Sequence, residues 1–228
     1  MFNVLIAAAA FVGTHFLLSH PLRAPLVRRL GTNGFLGAYV LVAFATLGWL
    51  AETYRKAPAE APLWPVGDAL WAVATIVMLV ASILFVGSLI GNPALPGPPA
   101  ANKPVPIPRG VFAITRHPMN WSFALWGGSH IAVFPTPSNI VLAGAIIILA
   151  LVGSVLQDRK KAALEPAFWT EWERRTSLLP FAAIADGRAR FGGFRGHDIG
   201  GGLVIWLAAT WAHIPLAGYG AGVWRWLS

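Results

Sequence analysis

Six histidines are the side chains of this 228-residue sequence best suited to bind a metal or transfer a proton near neutral pH. They are His15, His20, His117, His130, His197 and His213. The sequence contains no cysteine, which excludes thiolate metal ligands, cysteine nucleophiles and disulfides. Any transition-metal chemistry of this chain therefore depends chiefly on imidazole nitrogens.

The stretch from Ile114 to His130 carries the densest set of candidate groups. It begins with Arg116 and His117, passes from Pro118 into apolar sequence, and ends at His130. Proline is favoured at the first turn of a helix, so we expect a helix to begin at Pro118. At about 100° per residue, His117 and His130 are roughly 140° apart and face different neighbours.

The helical face of His130 is apolar and aromatic. It is shared by Met119, Phe123 and Trp126, with Arg116 at its end. Two imidazoles from different helices, an aromatic wall and an arginine at the rim can hold a b-type haem. In that arrangement the nitrogens bind the iron and the guanidinium binds a propionate.

Depth along the predicted helices separates the histidines into two groups. At about 1.5 Å per residue, His15, His130 and His213 fall in a middle layer, and His20 and His117 fall near the cytoplasmic boundary. An ionisable side chain inside a membrane indicates a functional site. The alternative is a neutral imidazole that only hydrogen-bonds a neighbouring helix. The sequence leaves open which histidine faces His130.

The composition indicates the elements that must position these groups. Hydrophobic residues make up 56% of the chain and charged residues only 11%, against about 25% in soluble domains. Six runs are apolar enough to span a bilayer, which takes roughly 20 residues. They are Phe2–Pro21, Gly34–Thr53, Asp68–Ile90, Pro118–Phe134, Ser138–Leu156 and Gly201–Tyr219. We therefore predict an all-α polytopic membrane helix bundle, organised as a single domain over residues 1–228.

The basic residues predict the orientation of the bundle. Most of the 17 lysines and arginines fall in the first, third and fifth connections, and such residues are enriched in cytoplasmic loops. We therefore expect a bacterial inner-membrane protein with both termini on the periplasmic side. The positive charge is then explained by topology and gives no support to nucleic-acid binding; the expected partner is the lipid bilayer.

Two connections have a character of their own. Residues 91–110 are rich in proline, which predicts an extended cytoplasmic loop. Residues 157–181 place Leu164, Phe168 and Trp172 on one helical face, with charged residues around them. This pattern predicts an amphipathic helix that lies on the cytoplasmic membrane surface.

The chain resembles the NnrU family of bacterial membrane proteins, whose relatives include 15-cis-zeta-carotene isomerase. The resemblance covers nearly the whole chain. It is carried by His15-Phe-Leu-Leu-Ser-His-Pro-Leu-Arg23, by Arg29-Leu-Gly31, and by Ile114-Thr-Arg-His-Pro-Met119 followed by Trp126 and His130. NnrU proteins are associated with nitric oxide and nitrite metabolism in denitrifying bacteria, so the resemblance implies a role of that kind.

The resemblance to the isomerase branch also implies a cofactor. That branch uses a b haem, and by position its ligands are His15 and His130. We therefore expect His15 and His130 as metal ligands and Arg116, His117 and Arg23 as further cofactor-binding residues. Where the isomerase has a cysteine this sequence has Gly127, so a switch between thiolate and imidazole is excluded and isomerase activity is placed in doubt.

A second resemblance leads to a different cofactor. Arg116-His117-Pro118 before an aromatic amphipathic segment is also similar to the isoprenylcysteine carboxyl methyltransferase group, which uses S-adenosylmethionine. That resemblance implies cofactor contacts from Arg116 and His117, with Glu165 nearby, although the paired glutamates of the group are missing. A third hypothesis is a non-catalytic membrane assembly factor in which the histidines only pack helices. Whether the chain is an enzyme stays open at this point.

Overall fold

The computed structural model describes residues 1–95 and 104–227. Those residues form ten α-helices. They are α1 (Phe2–Ser19), α2 (Arg23–Arg55), α3 (Asp68–Gly87), α4 (Val111–Ile114), α5 (Pro118–Val133), α6 (Pro137–Leu164), α7 (Pro166–Arg175), α8 (Ala182–Ala185), α9 (Gly196–Ala217) and α10 (Trp224–Leu227). The prediction of an all-α fold is confirmed.

Five helices, α1, α2, α3, α6 and α9, are long and apolar enough to cross a membrane. The sixth predicted span corresponds to α5, which has only 16 residues. At 1.5 Å per residue that helix is roughly 24 Å long, shorter than the hydrocarbon core of about 30 Å. Because α5 packs between α3 and α6, protein contacts stabilise it along both sides.

The six longest helices pack side by side in the order α2, α1, α6, α5, α3 and α9. Small residues allow the close approaches between them, as is usual where lipid replaces water around the helices. Gly127 of α5 lies against Ala143 and Ile147 of α6, and Gly202 of α9 lies against Ile83 of α3. Neither glycine has room for a methyl group without displacing its neighbours.

We call the end of the bundle that holds α4, α7 and α8 the inner end, and the opposite end the outer end. At the inner end, Phe112 of α4 packs with Phe168, Trp169 and Trp172 of α7 in one buried cluster. The predicted amphipathic helix thus exists as α7. Its aromatic face packs on protein, however, and Leu164, expected on that face, is exposed because α6 continues through it.

At the outer end the α2–α3 connection crosses the turn between α5 and α6. Leu63 N–H donates to the carbonyl of Pro135 at 2.9 Å, and the Trp64 indole donates to Ala132 at 3.1 Å. Glu60 accepts hydrogen bonds from the backbone N–H and the hydroxyl of Ser138 in the first turn of α6. Val4 near the start of α1 shares a buried cluster with Leu50 near the end of α2, and Arg225 of α10 pairs with Asp68 at the start of α3, so both α10 and the start of α1 lie at this outer end.

Of the predicted proline-rich loop 91–110, residues 96–103 lie outside the described part of the chain. The described flanks have turns at Pro93, Ala94 and Gly110, and residues 104–109 have no regular secondary structure, as expected of a loop. A sharper departure from regular helix occurs in α2, where Gly31 has φ 70° and ψ 172°. Only glycine adopts this conformation readily, and it bends the chain just before Thr32 and Asn33, which line a cavity described below.

Candidate functional site

His15 lies on α1 with one ring nitrogen already engaged. Its Nδ1 is 2.6 Å from the carbonyl oxygen of Phe11, one turn earlier. A carbonyl oxygen can only accept a hydrogen bond, so Nδ1 carries the proton and donates it. In the neutral ring this leaves the lone pair on Nε2 available to a ligand. The rings of Phe11 and Tyr39 pack edge-on against the imidazole, with centroids 4.5 and 5.6 Å away.

The His15 side chain lines a cavity of about 390 Å³ in the inner half of the bundle, which we call the inner cavity. Its walls come from α1, α2, α5 and α6. Aromatic and aliphatic residues provide most of the lining, together with a smaller polar set: Ser19, His20, Tyr39, Asn120, Gln157 and Lys160. An apolar cavity with a few polar groups is the usual form of a small-molecule site.

A second cavity, of about 590 Å³, adjoins the first and shares four lining residues with it. We call it the cationic cavity because Arg23, Lys160 and Lys161 line it. Lys161 is paired with Glu165 at 3.2 Å. Within the described residues no carboxylate pairs with Arg23 or Lys160, although the Arg23 guanidinium lies 5.8 Å from the centre of the Phe35 ring. The cavity therefore offers two uncompensated cations to an anionic ligand.

His20 lies just beyond the end of α1 and lines the inner cavity. Partial burial, together with the positive charge of Lys160, lowers the pKa of His20 from its ordinary value. At neutral pH this favours the uncharged ring. The positive charge at this side of the cavity is therefore carried by Lys160 and Arg23 and not by the histidine.

Arg116 and His117 are held by a carboxylate that the sequence analysis did not single out. Arg116 Nε and Nη2 donate to Asp158 Oδ2 at 2.8 and 2.6 Å, and His117 Nε2 donates to Asp158 Oδ1 at 2.6 Å. Glu173 of α7 lies 3.5 Å from the same guanidinium. The group is almost fully enclosed, with side-chain exposures of 13% for Arg116, 1% for His117 and 10% for Asp158.

This network ties α5 to α6 and α7 at the inner end. Neither Arg116 nor His117 lines the inner or the cationic cavity, nor the third cavity described next. Their predicted role in cofactor binding stays a prediction, and the structure gives them a different partner. The missed residue, Asp158, has a signal in the sequence: it is an acidic residue near the end of a long apolar run.

His130 lies at the other end of α5, in a separate cavity of about 110 Å³ that we call the outer cavity. Its Nδ1 donates to the carbonyl oxygen of Trp126 at 2.8 Å, and its ring packs on the indole with centroids 4.2 Å apart. The imidazole across the cavity is that of His213 on α9, with ring centroids 6.2 Å apart.

The structure does not bring His15 and His130 to one cavity. His130 lies level with the start of α6, as the hydrogen bond from the Asn139 side-chain amide to the His130 carbonyl oxygen shows. His15 shares its cavity with Leu149, Ala150 and Gly153, farther along the same helix. The offset is more than ten residues, or roughly 15–20 Å along the axis of α6. The predicted middle layer therefore separates into an inner histidine and an outer pair.

The comparison with protein families agrees with this architecture. The family model described as NnrU protein matches residues 3–221, which include the six long helices except Phe2, the first residue of α1. The chain belongs to the NnrU family. No curated protein and no solved structure matches it. The resemblance stated from the sequence is thus confirmed for the family.

The helices and the family together establish an integral membrane protein of the NnrU type. Two residues of this NnrU protein gain importance from the structure alone. Lys160 belongs to a basic cluster that the sequence explains by membrane topology, but its side chain lines both the inner cavity and the cationic cavity. His213 is no more distinctive in the sequence than His15, and only the packing of α9 against α3, which in turn packs on α5, brings it opposite His130.

Proposed function

We propose that this NnrU protein binds a b-type haem in the joined inner and cationic cavities, with His15 as a ligand of the iron. One observation carries the proposal. The free Nε2 side of His15 belongs to an aromatic-lined cavity that continues to two cations without carboxylate partners, Arg23 and Lys160. The parts of a haem match the two parts of this cavity, because its macrocycle is apolar and its two propionates are carboxylates.

The residues around the site would divide the task of holding the haem. Arg23 and Lys160 would bind the propionates, since cations form strong charge-assisted hydrogen bonds with carboxylates. Phe11, Phe16 and Phe123 would exclude water from the macrocycle. The Phe11 carbonyl fixes the tautomer and direction of the His15 ring, as outer-shell partners of metal ligands commonly do.

A bound haem would supply one-electron chemistry and a site for small gaseous ligands. We propose that this chemistry is what links the protein to nitric oxide and nitrite metabolism, as membership of the family suggests. His20 and Tyr39 are polar groups in the same cavity, suited to hydrogen-bond a ligand or move a proton.

The test is the absorbance spectrum of detergent-purified protein after haem reconstitution. We expect a Soret band in the wild type, its loss in His15→Ala, and weakened haem retention in the Arg23→Gln, Lys160→Gln double variant. His130→Ala is the matched control and should keep the band. A spectrum without a Soret band would remove the proposal, and loss of the band in His130→Ala would restore the original pairing of His15 with His130.

The methyltransferase alternative makes a separate prediction. S-adenosylmethionine should then raise the thermal stability of the purified protein, and Arg116→Ala should abolish that effect. Because Asp158 already occupies the guanidinium, we expect no such stabilisation. An assembly factor without cofactor would show neither a Soret band nor this response.

A further inference from the structure

The outer cavity contains two imidazoles that make the same hydrogen bond to their own helices. Nδ1 of His130 donates to the Trp126 carbonyl and Nδ1 of His213 donates to the Ala209 carbonyl, each at 2.8 Å. Carbonyl oxygens accept only, so both neutral rings carry the proton on Nδ1 and the lone pair on Nε2. A carbonyl that fixes the far nitrogen in this way is the usual outer shell of a metal-binding histidine.

The separation of the two rings fits a shared metal ion. A metal held about 2 Å from each Nε2 places the two ring centroids about 6 Å apart when the rings lie on opposite sides of it. The observed separation is 6.2 Å, with ring planes 31° apart. A tetrahedral angle at the metal would require the rings to come closer together.

The other groups of the cavity narrow the choice of metal. Within the described residues no group of three or more His, Asp or Glu side chains is placed to hold a metal ion, so the closed four-ligand set of structural zinc is absent. Met78 of α3 lines the cavity and is a soft thioether donor. Imidazole with thioether selects copper(I), which also accepts two opposed ligands.

One further group indicates that the cavity receives a ligand. Trp206 of α9 lines it and is only 7% exposed, yet its indole N–H has no acceptor among the described residues. Buried indole N–H groups normally have a partner. A volume of about 110 Å³ accommodates a metal ion and a few water-sized molecules, which could accept that bond.

We propose that the outer cavity is a copper(I) site in which Nε2 of His130 and Nε2 of His213 are the ligands. The site connects α5 to α9 across α3. It is separate from the haem site proposed above, shares no lining residue with it, and does not depend on it.

The experiment uses full-length purified protein and copper(I) delivered anaerobically as its bicinchoninate complex. Wild type should remove a single copper ion per chain from the indicator. His130→Ala and His213→Ala should each weaken that affinity about tenfold or more, since each removes a ligand. His213→Met should retain more affinity than His213→Ala, because a thioether still binds copper(I). His15→Ala and His197→Ala are controls and should bind like the wild type.

Elution as a single species on size exclusion shows that each variant is folded. If an alanine variant does not fold, His213→Met still tests the same ligand position. Wild-type protein that leaves the indicator loaded would overturn the proposal. Unchanged affinity in both His130→Ala and His213→Ala would do the same. If zinc binds as tightly as copper(I) in His213→Met, a thioether-tolerant copper site is excluded. Loss of the Soret band in His15→Ala with copper binding intact distinguishes the two proposals.

Discussion

Asp158 is the residue that determines how the inner end of this NnrU protein is held together. It accepts hydrogen bonds from Arg116 and His117 across the α5–α6 interface while almost fully enclosed. Burial of a charged group destabilises the folded protein unless the group is paired. Removal of one partner therefore leaves a buried charge without compensation and lowers the stability. The arginine-histidine pair that dominates the sequence motif is therefore a structural bond between helices at this depth.

The first residue-scale prediction concerns the variant Asp158→Asn. It leaves the Arg116 guanidinium with only Glu173, at 3.5 Å, and should lower the free energy of unfolding by about 3–5 kcal/mol. Denaturant unfolding in detergent measures the change. Asp186→Asn is the control: its pair with Arg188 is exposed, so the loss should stay below about 1 kcal/mol. Equal losses in the two variants would show that the buried network adds nothing.

A second residue-scale prediction concerns pH. The pKa of His20 is lower in the folded protein than its ordinary value of 6.5, because of burial and the charge of Lys160. The unfolded chain therefore binds more protons as the pH falls below that value. The stabilising effect of neutral His20 is fully present above pH 6.5 and is lost as the pH falls through the lower, folded-state pKa.

The melting temperature should therefore fall between pH 8 and pH 5, and His20→Gln should reduce the size of that fall. Ser19→Ala, a change beside it in the same cavity, should leave the fall unchanged. A fall of the same size in His20→Gln as in the wild type would show that another group is responsible.

At the scale of elements, α5 is set by the residues that its two faces present. Gly127 lies against α6, and a β-carbon there would come within 2.7 Å of Ile147 Cγ1 and 3.0 Å of the Ala143 carbonyl oxygen. Its neighbour Gly128 faces open space. The position where the isomerase branch has a cysteine is thus a helix contact in this chain and not part of the wall of the outer cavity.

The element-scale prediction compares these two adjacent glycines. Gly127→Ala forces α5 from α6 and should destabilise the protein by about 1–3 kcal/mol, as overpacking does. Gly128→Ala should be neutral or stabilising by up to about 1 kcal/mol, because alanine is the better helix former. Thermal unfolding of both variants in one detergent gives the comparison. Similar behaviour of the two would contradict the close α5–α6 contact.

The whole molecule is a row of six helices closed at each end by a connection. The α2–α3 segment covers the outer end, and α4, α7 and α8 cover the inner end. The two closures leave cavities of different character on either side of α5. The inner cavity and the cationic cavity are large and bordered by cations. The outer cavity is small and lined by two histidines.

The whole-molecule prediction concerns orientation in the membrane. Because the natural chain has no cysteine, single cysteines can be placed without a background signal. A membrane-impermeant maleimide should label Ala59→Cys, in the outer connection, in intact spheroplasts. Gly192→Cys, before α9, should react only after the cells are opened, since the arginine-rich connections are expected inside. Reversed labelling would place the histidine pair on the cytoplasmic side.

The sequence by itself determined the class, the number and rough bounds of the long helices, and the family. Hydropathy and charge act along the chain, so a run such as Asp68–Gly87 identifies itself without reference to any neighbour. Resemblance at the arginine-histidine-proline motif was likewise local.

Tertiary structure alone decided which side chains meet. The sequence contains five histidines at membrane depth or near it, but nothing local states that His130 faces His213 while His15 faces Tyr39. Those pairings follow from the order in which helices pack, which depends on small residues such as Gly127 and Gly202 meeting partners far along the chain. The energy of such contacts depends on the shape of two surfaces at once, and a pattern read along one helix contains only half of that information.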